Sequence, residues 1–123
     1  MQGSHEKIGY SRAEFRAIFQ VYAKCVYTNL FKDFSFSEIN GQYFISFREE
    51  AGKKPLITVE KQKLGPDRSL FIATSPGPRN TLLTVARSEK ISAFIEQLNK
   101  AILTLSENKN GKNGKSGKIS SKP

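Results

Sequence analysis

At 123 residues, with 37% hydrophobic side chains, nine Phe and no Trp, the chain suffices for one ordinary core and is too short for two comfortable domains. Its formal charge is +9, of which +4 falls in residues 107–123. No apolar run approaches the ~20 residues of a membrane helix, no h-region marks a secretory signal, and a lone cysteine suits a reducing cytoplasm rather than a disulfide scaffold.

The composition divides the chain in three. Residues 1–9, MQGSHEKIG, are polar and expected to be disordered. Residues 10–106 hold the apolar side chains and are read as a single domain. Residues 107–123, ENKNGKNGKSGKISSKP, carry almost no apolar side chain to offset chain entropy, so a disordered basic tail is expected there.

Ser11 and Glu14 have the spacing of a capping box, with Tyr10 and Phe15 placed to form a hydrophobic staple across it. Phe15, Ile18, Phe19, Tyr22 and Val26 then recur at helical spacing and predict one apolar helix face. Arg12, Arg16, Gln20 and Lys24 lie four apart on another face. That row reads as solvated charge, with contact to a polyanion as the sharper alternative.

Asn40-Gly41 is a strong hairpin signal, because both residues tolerate the positive φ of a type I′ turn. A two-residue turn sets the register from Ile39 opposite Gln42 outward: Phe36 opposite Ile45 and Phe34 opposite Phe47 share one face, and Ser35 opposite Ser46 and Ser37 opposite Phe44 lie on the other. The stretch NGQYFISF superficially resembles an RNA-recognition signature. Gln42 stands where that pattern needs a stacking aromatic, Tyr43 where it takes Gly or Ala, and no strand precedes the first helix. The stretch is therefore read as a plain hairpin.

Three further strands are predicted in PLITVEK from Pro55, SLFIAT from Ser69 and NTLLTV from Asn80, separated by turns at Gly52, Gly65-Pro66 and Pro76-Gly77-Pro78. Ile91, Phe94, Ile95, Leu98, Ala101, Ile102 and Leu105 form one stripe of a last helix, with Ser88 as its expected N-cap. Strands grouped between two helices imply an α+β fold: an N-terminal helix, an antiparallel meander of four or five strands, and a C-terminal helix packed on one sheet face.

Catalytic chemistry finds little to use. His5 lies in the polar start, and Cys25 falls near the apolar helix face, where a buried structural thiol is the commoner role. One Cys and one His supply no metal cluster, Glu49 and Glu50 point to opposite faces of a strand, and no P-loop or dinucleotide fingerprint appears. Gly77-Pro78-Arg79-Asn80 offers amides and a guanidinium to a phosphate, but a plain strand connection is the simpler reading. No catalytic residue, cofactor site or metal site is expected.

YSRAEFRAIFQVY, FKDF and SFREEAGKKPLITVEK together resemble a family of small alphaproteobacterial proteins known as a domain of unknown function. The resemblance rests on Tyr10, Arg12 and Glu14, on Val21-Tyr22, on Phe31-Lys32-Asp33-Phe34, on Phe47-Arg48, and on Pro55 to Lys61. It covers mainly residues 10–61. Beyond them Leu82-Leu83-Thr84-Val85 replaces the basic, Gly-containing step of the family, and the tail also differs. The resemblance implies a bacterial cytoplasmic protein and supplies no catalytic residues.

What remains is basic charge. Lys53, Lys54, Lys61, Lys63, Arg68, Arg79 and Arg87 sit in or beside turns, with Arg48 close by and Lys112, Lys115 and Lys118 in the tail. With Phe44 or Phe71 exposed among them, such charges suit a single-stranded nucleic acid, DNA or RNA, or another polyanion. The expectation is thus a non-enzymatic binding module that uses a basic sheet edge and tail. The alternative is a protein-interaction or regulatory module with no nucleic-acid role. Rings pointing outward beside cations favour the first, rings pointing inward the second. No membrane partner is expected, and the sequence leaves the oligomeric state open.

Overall fold

The computed structural model describes residues 9–115. The disorder expected for the start therefore falls, apart from Gly9, outside the described residues, as does the tail beyond Lys115. Helix α1 (Arg12–Val26) opens with the expected capping box: Ser11 Oγ accepts the Glu14 N–H at 3.1 Å, and Glu14 Oε1 accepts the Ser11 N–H at 2.8 Å. The staple does not follow. Tyr10 turns down to the sheet, with its ring edge-on to Phe36, while Phe15 pairs with Phe34. The buried stripe of α1 is Ile18, Val21 and Cys25, so Phe19 and Val26 lie at its exposed margins rather than at its centre.

Five strands follow: β1 (Asp33–Ile39), β2 (Gln42–Arg48), β3 (Pro55–Gly65), β4 (Arg68–Pro76) and β5 (Leu82–Ser88). They form one antiparallel sheet in the order β1-β2-β3-β4-β5. The first hairpin has the register predicted from its turn, with Asn40 at φ 53° and Gly41 at φ 81°. A short 3₁₀ turn, Pro78–Asn80, intervenes where the last strand was expected to begin, so β5 starts at Leu82 and runs to Ser88. Helix α2 (Ile91–Lys115) closes the chain. Ser88 ends β5 and its hydroxyl accepts the Lys90 N–H at 3.1 Å, shaping the strand-to-helix turn rather than capping the helix.

Both helices lie on one face, which makes the protein an α+β fold with a five-stranded meander. Alternation from the register places Phe34, Phe36, Tyr43, Ile45, Phe47, Ile57, Val59, Lys61, Phe71, Ala73 and Ala86 on that face. α1 covers the β1–β2 side, with Phe19 at 5.1 Å from Phe34 and Tyr22 at 5.5 Å from Phe47 between ring centroids. α2 covers the β4–β5 side through Phe94, Leu98 and Ile102, with Phe94 at 5.6 Å from Phe71. The expected domain boundary at Ser106 is not a helix boundary. α2 packs on the sheet through Phe94, Leu98 and Ile102, and its backbone continues as helix to Lys115.

Candidate functional site

The cations singled out above do not form one patch. Arg48 is built into the sheet: Nη1 lies 2.6 Å from Ser35 Oγ and 3.3 Å from Asp33 Oδ2, and Nε donates to the Lys53 carbonyl at 2.9 Å. It ties β1 to the β2–β3 turn. Lys61 lies on the helix-covered face, with Nζ 2.7 Å from Glu14 Oε1 and 5.7 Å from the centroids of both the Tyr10 and Phe71 rings. The sequence raised the prospect of Phe71 exposed beside cations; instead Lys61 and the Phe71 ring meet inside, as packing between α1 and the sheet.

Arg68 grips Glu89 with both ends of its fork, Nε to Oε1 at 3.0 Å and Nη2 to Oε2 at 2.7 Å. Those hydrogen bonds hold the Glu89 carboxyl below its ordinary range. Arg48, Lys61 and Arg68 are thus engaged by carboxylates. Lys53, Lys54, Lys63 and Arg79 are exposed and make no ion pair among the described residues. In a meander alternate turns share an end, so Lys53, Lys54 and Arg79 stand at one end of the sheet and Lys63 at the other. Lys63 borders a polar cleft of about 940 Å³ beside the start of α1, where the other cation is the paired Lys61. The side chains of Lys112 and Lys115, and all of Lys118, lie outside the described residues.

The two aromatic candidates separate. Phe71 is buried in the core. Phe44 faces the open side of the sheet, half-buried, with Ser37 opposite on β1 and Glu60 opposite on β3, so a carboxylate rather than a cation flanks it. The turn at Gly77 closes on itself: the Gly77 N–H donates to the Thr81 carbonyl at 2.8 Å, and the Thr81 N–H donates to the Pro78 carbonyl at 3.1 Å. The Gly77 and Thr81 amides are thus used within the loop. Cys25 is buried, and burial pushes its thiol up, away from the reactive thiolate. Among the described residues no group of three or more His, Cys, Asp and Glu side chains is placed to hold a metal ion, and no helix is long and apolar enough to cross a membrane.

The site that sequence reasoning missed lies between α2 and the β4–β5 end of the sheet. It is a groove of about 530 Å³ whose walls include Ile57, Leu83, Val85, Ala101 and Leu105, with Lys100 beside them. A bulge creates it. Ala73 pairs with Ala86 but Thr74 pairs with Thr84, so Val85 is an extra residue on β5 and the alternation changes phase there. Leu83 consequently faces α2 instead of the open side. It stays half-exposed and lines the groove together with Ala101 of α2. Ser75 also lines the groove; it is only 6% exposed, and its hydroxyl has no hydrogen-bond partner among the described residues. The signal in the sequence was the apolar run of Leu82-Leu83-Thr84-Val85. Comparison with protein-family models, with curated proteins and with solved structures finds no match to this chain.

Proposed function

We propose that the protein is a binding module that docks an acidic polypeptide segment bearing apolar side chains in the groove between α2 and β4–β5. The observation that carries this reading is the groove itself: apolar walls left uncovered by α2, with a buried hydroxyl that has no hydrogen-bond partner among the described residues. Covering one Leu-sized side chain from a partner is worth roughly 1.5–3 kcal/mol. The Ser75 hydroxyl supplies a hydrogen bond to a peptide group of that partner, since a buried hydroxyl ordinarily has one. Lys100 at the margin and the +9 charge of the chain favour an acidic partner and speed its encounter. Binding rather than catalysis is proposed because the one thiol is buried and Asp33, Glu14 and Glu89 are each held in ion pairs.

A displayed peptide library tests the reading. Selection on the wild type should enrich peptides with two or three apolar anchors among Asp and Glu, and Leu83→Lys or Ala101→Arg should abolish their binding while leaving the fold intact. Enrichment that survives both substitutions places the binding surface elsewhere and removes the proposal.

A second reading is favoured by one specific feature, the exposed Lys53, Lys54 and Arg79 at one end of the sheet, which make no ion pair among the described residues. Under it, that end holds the backbone of a single-stranded nucleic acid or another polyanion, and affinity falls steeply with salt. Titration with single-stranded oligonucleotides at two salt concentrations decides it. Binding lost on joint substitution of the three cations supports the reading, and no binding at low salt ends it.

A further inference from the structure

Helix α1 turns a second face away from the sheet. At 3.6 residues per turn, Arg12, Arg16, Phe19, Ala23, Val26 and the C-cap residue Tyr27 fall within about 100° of one another around its axis, on the side away from the buried Ile18, Val21 and Cys25. Arg12 and Arg16 are exposed and make no ion pair among the described residues, and neither does the exposed Lys24 at the margin of this face. The one carboxylate of α1, Glu14, is neutralised by Lys61. The outward side of the helix is therefore cationic.

Apolar surface runs among these cations. Phe19 is 41% exposed, Val26 43% and Tyr27 90%. β1 extends the strip: Phe19 meets Phe34 at 5.1 Å between ring centroids, and Phe36, two residues further on and on the same face of the sheet, is 38% exposed. A helix face that only meets water is polar throughout. Solvation accounts for the arginines of α1 and leaves Phe19 and Val26 beside them without a reason.

We infer that α1 is an interfacial helix that lays this face on the surface of an anionic lipid bilayer. Charge complementarity selects an anionic occupant, and the exposed Phe19 and Val26 select one with apolar material directly beneath its charge. A bilayer has both, as headgroups over acyl chains. Tyr27, an apolar ring with a polar tip, suits the headgroup level between them. Bases fit less well: Phe19 is held among Phe15, Tyr22 and Phe34, and Val26 has no ring, so stacking has only Tyr27 to use. A helix packed on a sheet is also convex outward, a shape that a bilayer moulds around and that gives a peptide no groove. The expectation of no membrane partner rested on the lack of a spanning segment, which a helix lying in the interface does not need. This face shares no residue with the α2 groove or the sheet-end cations and is independent of the functions proposed above.

The chain has no Trp, so Tyr27→Trp places a single indole reporter on the face. In the full chain, mixed vesicles of phosphatidylglycerol and phosphatidylcholine should shift its emission to the blue and open it to quenching by brominated acyl chains. Vesicles of phosphatidylcholine alone should do neither. Thr84→Trp, exposed on the open face of the sheet, should answer to neither vesicle, which separates docking through α1 from adsorption through the basic tail. Adding Arg12→Gln and Arg16→Gln together to the Tyr27→Trp chain should lower its partitioning about thirtyfold, about fivefold for each cation removed. Val26→Ser should lower it about threefold. Circular dichroism confirms that each variant folds. No shift with the anionic vesicles, an equal response from Thr84→Trp, or indifference to the paired arginine substitution overturns the inference. A Tyr27→Trp emission that answers to single-stranded oligonucleotide and not to the vesicles assigns the face to nucleic acid and overturns it as well.

Discussion

Glu14 Oε1 accepts two hydrogen bonds at once, from the Ser11 N–H at 2.8 Å and from Lys61 Nζ at 2.7 Å. One carboxylate therefore completes the cap of α1 and fastens that helix to β3. Glu14→Gln keeps the reciprocal cap and loses the ion pair, and should cost about 1 kcal/mol; Glu14→Ala loses both, and should cost about 2–3 kcal/mol. Lys61→Met, which retains a stem over Tyr10 and Phe71, should fall nearer the first value than the second. Urea midpoints rank the three. An Ala variant no less stable than the Gln variant would mean that the cap contributes nothing.

Tyr10 sets an alkaline limit. Its hydroxyl donates to the Tyr43 carbonyl at 3.0 Å, and burial, then the charges of Glu60 and Glu14, push its ionisation well above the ordinary phenol value. An unfolded tyrosine loses its proton near pH ~10. Above that pH the native state binds more protons than the unfolded state, so stability falls as pH rises. Tyr10→Phe should be less stable at neutral pH by about 1 kcal/mol, through the lost hydrogen bond, yet should lose less on going above pH ~10. Parallel alkaline denaturation curves for the two proteins would contradict the assignment.

Two aromatic residues of β2 should behave differently. Phe47 is fully buried, with Tyr22, Phe31 and Phe34 around it, and Phe47→Ala should cost about 3–5 kcal/mol by opening a cavity. Phe44 rests on the open face beside Ser37 and Glu60, and Phe44→Ala should cost less than half as much. Thermal unfolding measures both. If Phe44 also lies on a nucleic-acid surface, its removal weakens oligonucleotide binding at unchanged stability.

Gly9 and Gly65 make a matched test of backbone freedom. Gly9 has φ +78°, and a Cβ there would run into the Tyr43 ring, so Gly9→Ala should cost about 2 kcal/mol or more and loosen Tyr10. Gly65 meets nothing within 4 Å and has no positive φ. Gly65→Ala should stay within about 0.5–1 kcal/mol of neutral, on the stabilising side, by restricting the unfolded chain. Equal effects at the two positions would refute the argument.

Local patterns determined the architecture. The capping box at Ser11 and Glu14, the Asn40-Gly41 turn with its full register, and the stripe from Ile91 to Leu105 are interactions between neighbours in sequence, so residue type and spacing suffice to read them. The fate of each charge was not legible in that way. Lys61 meets Glu14, and Arg68 meets Glu89, only because the meander brings together residues far apart in the chain. Spacing along a strand gives the face a lysine occupies but not whether a helix covers that face. The groove was hidden for a related reason: one extra residue at Val85 reverses the alternation of β5 and turns Leu83 to the side of the sheet that α2 covers. A bulge is set by how two strands and a helix fit together, and one strand read alone carries no measure of that fit.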